Sequence, residues 1–368
     1  MPLLRTAIRP WIIVTILCLI YSVFTVIQNN GDPLALVTIG TRFSEGNPTG
    51  QEGYDGQFVY YIARDPSIAA QYIDVPAYRY QRILLPILGR LLAFGQASLI
   101  PWTLLLANLA ALATGTALLE KLLVELKANR WYALSYGLTL GTFVSVRLTL
   151  PEPLAYGLVI GGITLANRER WPGAAILFAL AALAKETTLV FVAAYALYWL
   201  YRRQWRVAIL FTAVATLPFI LWQFILYDRL GAFGVGSGGA LATSFEIIPF
   251  AGVMRILTEG GIAVFLVMMP LIAFFVIAPT LWGLRRVWCD FPEWSVYDFM
   301  LFANTSIMLF VPFSTYREPL AILRFIVGLQ IAVILFAAWK PAPHALRNTT
   351  FWIVTVLFIL TLYTPNGS

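Results

Sequence analysis

Apolar residues in this chain come in repeated runs of membrane-spanning length, set apart by short polar punctuation. The first run covers residues 11–27, behind Arg9 and Pro10. A long polar segment, 28–81, follows it. The piece at 83–95 is apolar but carries Arg90, and reads as an interfacial or re-entrant helix. Further runs lie at 100–119, 131–146, 153–166, 172–184, 187–200, 207–227, 262–284, 297–313, 320–339 and 351–363. Together these predict about eleven crossings in one integral membrane domain, residues 1–368. The runs at 172–184 and 187–200 fall short of the roughly 20 residues a full crossing needs. Their corner, Lys185 and Glu186, is therefore expected below the headgroups or lining a cavity.

Orientation follows from the basic residues, because Lys and Arg in short loops mark the cytoplasmic side. With the amino terminus inside, the inner loops carry Arg5, Arg9, Lys121, Lys127, Arg130, Arg168, Arg170, Arg202, Arg203, Arg206, Arg285, Arg286, Lys340 and Arg347. Against them stand Glu120, Glu125, Glu169, Asp290, Glu293 and Asp298. The predicted fold class is an all-α polytopic membrane protein of about 11 transmembrane helices. A long first extracytoplasmic loop, 28–99, carries membrane-surface helices, and a second large one spans 228–261. No small-x-small cleavage site follows the first run, so it reads as an uncleaved anchor. The expected location is the cell inner (cytoplasmic) membrane.

Composition agrees. The chain has 368 residues, 60% of them hydrophobic and 12% charged, with a mean hydropathy of +0.79. A soluble domain carries about 25% charged residues. The basic balance, 25 Lys and Arg against 18 Asp and Glu, does not point to nucleic acid, because the basic residues sit at span ends and not in a stripe. Cys18 and Cys289 exclude a disulfide framework, and a single His344 argues against a catalytic triad or a multi-histidine metal site.

Candidate chemistry gathers on the outer side. The first outer segment contains Glu52, Tyr54, Asp55 and Gln57, and Arg79 and Arg82 follow. Phe58, Tyr61 and Ile62 recur at helical spacing, which predicts a short amphipathic helix on the membrane after Gly56. Asp55 at its start either caps the helix or serves as a carboxylate that can take a proton. Arg147 and Glu152 flank one outer corner, Lys185 and Glu186 form another, and Arg317 and Glu318 precede Arg324. Each alone could be a snorkelling charge or an orienting ion pair. Several cations on one face suit a phosphate or diphosphate. The glycine-rich stretch at 234–239 lacks a βαβ frame and reads as a flexible loop; there is no P-loop and no Asp-x-Asp.

The stretches Tyr54-Asp55-Gly56-Gln57, Tyr78-Arg79-Tyr80-Gln81-Arg82 and Pro151-Glu152-Pro153-Leu154 resemble those of bacterial GT-C glycosyltransferases, the polyprenyl-phosphate-sugar-dependent mannosyl- and arabinosyltransferases. The layout of most of the chain is similar too. The resemblance implies a polyprenyl-phosphate sugar donor and a glycan, lipid or protein acceptor, with Asp55 as the base for the acceptor hydroxyl. The donor phosphate would meet Lys185, Arg317 or Arg324. Which of Asp55 and Glu52 carries the role, whether a divalent metal ion takes part, and whether the sugar is inverted or retained all stay open. Two rivals stand beside this reading: a transporter or flippase of a lipid-linked or anionic solute, and a polymerase or ligase of lipid-linked oligosaccharides.

Overall fold

The computed structural model describes residues 8–359. Arg5, the last residues of the eleventh run and the tail behind it lie outside that range. Among the described residues the chain is all-helical, with one isolated bridge, Ile39 to Gly53. In chain order the longer helices, with the short one at Pro76, are α1 Pro10–Gln28, α2 Gly56–Arg64, α3 Pro76–Tyr80, α4 Leu84–Leu92, α5 Ile100–Glu125, α6 Leu140–Arg147, α7 Glu152–Ala166 and α8 Trp171–Ala184. Then come α9 Leu189–Tyr201, α10 Trp205–Leu230, α11 Ile262–Asp290, α12 Val296–Met308, α13 Pro319–Phe325 and α14 Val327–Trp339.

Four segments are long and apolar enough to cross a membrane: α1, α5 with the turn before it, α10 and α11. A fifth is added if α13 and α14, bent by 43° at their junction, count as one. Apolar side chains cover the outer faces of these helices. On α1, Val14, Cys18 and Ser22 are buried toward α5, while Ile16, Leu19, Ile20, Val23 and Phe24 face outward. An apolar exterior over a packed interior is what a bilayer requires of its solutes, and the protein is a membrane protein on that ground.

Elsewhere the helices are shorter than the apolar runs suggest. The run at 131–146 is broken: a short turn, Leu134–Gly137, ends before an extended Thr139, and α6 starts behind it. Hydroxyls satisfy the break. Thr142 Oγ1 donates to Tyr136 O (2.6 Å), and Gln330 Nε2 donates to Thr139 Oγ1 (3.0 Å). Charge is segregated between the two ends of the bundle. At one end Arg9 and Arg130 share Glu120, Arg168 meets Glu125, and Arg286 and Lys340 share Asp290. At the other end lie the pairs made by Arg42, Arg79, Arg82, Lys185, Arg229, Arg255 and Arg324. Among the described residues no ion pair joins one end to the other.

The segment between α1 and α5 folds onto that second end. The amphipathic helix expected to lie on the membrane is α2, and its apolar residues do not face lipid. Phe58, Tyr61 and Ile62 are buried against Leu85, Leu104, Leu154 and Ala184 of neighbouring helices. Arg90, on α4, is turned toward α2 as well. Its guanidinium donates to Ala63 O (3.1 Å) and Arg64 O, the carbonyls left open at the end of α2.

Candidate functional site

Asp55 is placed by the chain on both sides of it. Tyr54 N donates to Thr38 O (2.9 Å), which holds residue 54 against the 38–40 segment. Gln57 is buried and clamps the same turn: its Oε1 accepts from Gly40 N (3.2 Å) and its Nε2 donates to Glu52 O (2.6 Å). Gly53 takes φ +71, in the left-handed region that glycine tolerates, and packs directly on Gly40. Gly56 lets α2 start against the 148–151 turn, since a Cβ there would lie 2.1 Å from Leu148 O. Asp55 itself is in helical conformation and makes no capping bond. Its carboxylate is turned instead to two arginines.

Arg324 Nη1 and Nη2 donate to Asp55 Oδ2 at 3.1 and 3.0 Å, and Arg79 Nη1 lies 3.0 Å from Oδ1. Arg79 is pinned from behind by Asp74, which accepts from its Nε (2.8 Å) and Nη2 (2.9 Å), and its guanidinium lies over the Phe58 ring at 4.3 Å. Arg324 Nε lies 3.6 Å from Glu152 Oε1, and Lys185 Nζ donates to that same oxygen at 2.5 Å. Beside them Arg82 makes a two-point contact with Glu186 (2.6 and 2.9 Å) and donates to Tyr78 Oη (2.8 Å). Four carboxylates and four cations thus form a charge-balanced cluster at the ends of α2, α3, α7, α8, α9 and α13. Asp55, Arg79, Arg82 and Arg324 line a small cleft of about 20 Å³, walled by Phe58, Val59, Ile62, Leu150 and Pro151.

The electrostatics of Asp55 follow from this geometry. Burial by itself raises its carboxyl, but Arg79 and Arg324 together outweigh burial and hold the group well below the usual carboxylate range. Asp74 is lowered for the same kind of reason, with Arg79 overcoming the cost of burial. Among the described residues no three His, Cys, Asp or Glu side chains come together around one point. Each cluster carboxylate already faces a guanidinium or ammonium, which leaves no set of free carboxylate oxygens of the kind a divalent cation takes.

Of the residues singled out in the sequence, Asp55, Arg79, Arg82, Glu152, Lys185, Glu186 and Arg324 come together. Tyr54 and Glu318 sit at the margin, with Tyr54 Oη donating to Glu318 (2.9 Å) and its ring 5.4 Å from the Arg324 guanidinium. Four others are elsewhere. Glu52 pairs with Arg42 in solvent. Gln57 is spent on the loop clamp. Arg147 Nη1 donates to Thr38 Oγ1 (3.1 Å). Arg317 reaches Leu241 O (3.4 Å) and the Phe313 ring. Sequence reasoning missed Asp74, which pins Arg79 and accepts from Ala240 N (3.2 Å) of the glycine-rich loop. Its only signal was an acid two residues before Pro76, at the start of α3. Compared with known proteins, no family model, no curated protein and no solved structure matches the chain.

Proposed function

We propose that this chain is an integral membrane glycosyltransferase that moves a sugar from a polyprenyl-phosphate donor to an acceptor hydroxyl at the extracytoplasmic face. The observation that carries the reading is the meeting of Asp55 with Arg79 and Arg324 at a small cleft, with Lys185 and Glu152 behind it. Guanidiniums fixed by carboxylates and ring faces are suited to grip phosphate oxygens at two points. A carboxylate among them can receive a proton.

The acceptor hydroxyl oxygen attacks the anomeric carbon of the donor sugar. The bond from that carbon to the phosphate oxygen breaks, and polyprenyl phosphate leaves with the electron pair. The hydroxyl proton passes to Asp55. Arg79 and Arg324 hold the phosphate and stabilise the charge it gains as it departs. The glycine-rich loop, tied down by Asp74 to Ala240 N and by Thr243 and Ser314, is placed to cover the substrates.

The eleven crossings and the outward orientation belong to the same proposal. The orientation rests on the Lys and Arg of the short inner loops. For the crossings up to Lys340 the support is that every pair among the described residues joins residues assigned to one side by counting, where a single missed or added crossing between partners would separate them. A transporter remains the second reading, because Arg324 lies just before a 43° break in an apolar helix, the arrangement found at midplane binding sites.

The test is transfer from a lipid-extract donor by purified Asp55→Asn and Glu52→Gln proteins. Loss of the general base lowers the rate about 10²–10⁴-fold. We expect that loss for Asp55→Asn and near-normal transfer for Glu52→Gln, whose carboxylate faces solvent. Full activity in Asp55→Asn would remove Asp55 from the mechanism, and an inactive Glu52→Gln would transfer the role.

A further inference from the structure

We infer that the Asp55 carboxylate occupies the phosphate site in the resting protein, so that an incoming phosphate ester and Asp55 compete for the same two guanidiniums. The inference rests on the proposed function only in identifying that phosphate with the donor's.

The partners of each group say which of them moves. Arg79 is held by two further bonds to Asp74 and lies over the Phe58 and Tyr78 rings at 4.3 and 5.1 Å. Arg324 is held over the Tyr54 ring and beside Glu152. Asp55 has no such second anchor: among the described residues its carboxylate bonds only to Arg79 and Arg324, and it makes no cap to α2. The guanidiniums are a fixed frame and the carboxylate is the loose part. Arg324 Nε makes no hydrogen bond and lies 3.6 Å from Glu152 Oε1, so Asp55 engages only the Nη1 and Nη2 end of that guanidinium. A phosphate ester brings more oxygens and more charge.

Displacement has a consequence for the chemistry. Paired to two arginines, Asp55 is a poor proton acceptor. Once the phosphate has taken those arginines, the freed carboxylate regains basicity beside the bound donor. The base is then armed only when a donor is present, and the acceptor hydroxyl is activated at no other time.

Removing an internal competitor strengthens binding, because a ligand's apparent affinity is reduced by the fraction of protein in the competent state. If Asp55 fills the frame nine-tenths of the time, Asp55→Asn should bind phosphate about tenfold tighter. We would titrate wild type and Asp55→Asn in nanodiscs with inorganic phosphate in one arm and a polyprenyl monophosphate in the other. Tightening with either probe supports the inference. The polyprenyl arm alone marks a lipid headgroup site, and the inorganic arm alone a site for free phosphate. Arg324→Gln placed on top of Asp55→Asn should abolish the gain. Unchanged or weaker binding of both probes by Asp55→Asn overturns the inference, and so does a gain that survives Arg324→Gln. If Asp55→Asn does not fold, Asp55→Ser is read by the same criteria. Because these titrations read binding without transfer, they stand or fall apart from the transferase assay.

Discussion

Gly56 is a tight point beside the cluster. A methyl group there would sit 2.1 Å from the Leu148 carbonyl oxygen and 2.8 Å from Thr149 Oγ1, and backbone cannot yield as a flexible side chain does. Gly56→Ala should therefore push α2 off the 148–151 turn and cost about 1–3 kcal/mol, as overpacking typically does. Thermal unfolding in detergent would read it, and an unchanged midpoint would show that α2 is not seated there. Asp55 next door was legible from its residue type and position, with a helix cap as the competing reading. The cap reading fails because the residue keeps helical backbone angles and its carboxylate is drawn to guanidiniums. Those partners could not be read from the chain, since Arg324 lies 269 residues away. Glu52 stands beside Asp55 as the other acid of the segment, and its pairing with Arg42 in solvent, like the buried clamp made by Gln57, depends on contacts with the 40–42 turn that the chain order does not announce.

Between elements, the strongest tie is the pair Lys185–Glu152, which joins the corner of α8 and α9 to the first residue of α7. Its side chains are 6% and 1% exposed. Removing one partner of such a pair leaves an uncompensated buried charge and typically costs about 3–5 kcal/mol, whereas replacing both can be near neutral. Lys185→Met should fall toward the lower end, because Arg324 Nε also lies near Glu152. The double variant Lys185→Met with Glu152→Gln should recover most of the loss in a thermal unfolding cycle. Additive losses would mean the two residues do not act as a pair. The burial of this corner in the protein was foreshadowed by two runs too short to cross. The break before α6 and the 43° bend between α13 and α14 were not. Hydropathy records how apolar a stretch is, while the breaks depend on where threonine hydroxyls and Gln330 satisfy freed backbone and side-chain groups.

Across the whole molecule, the separation of ion pairs into two groups leaves a middle without charge pairing, and this sets how the protein responds to a membrane voltage. α8 has 14 residues, about 21 Å at 1.5 Å each, in a hydrocarbon layer of about 30 Å. If α8 stands upright from the far edge of that layer, the Lys185 corner lies about 9 Å in from its own surface, near a third of the way across. A full crossing of one charge is worth about 2.3 kcal/mol per 100 mV, so delivery to this depth senses at most about 0.8 kcal/mol. That is about a fourfold effect on the binding or turnover of a singly charged substrate, against about fiftyfold for complete passage. In proteoliposomes clamped over a 100 mV range, the reaction should vary within the smaller factor, and variation near the larger one would mean that charge travels the length of the bundle. With its ion pairs among the described residues confined to the two ends, the bundle holds no paired charge midway that a voltage could pull along its length.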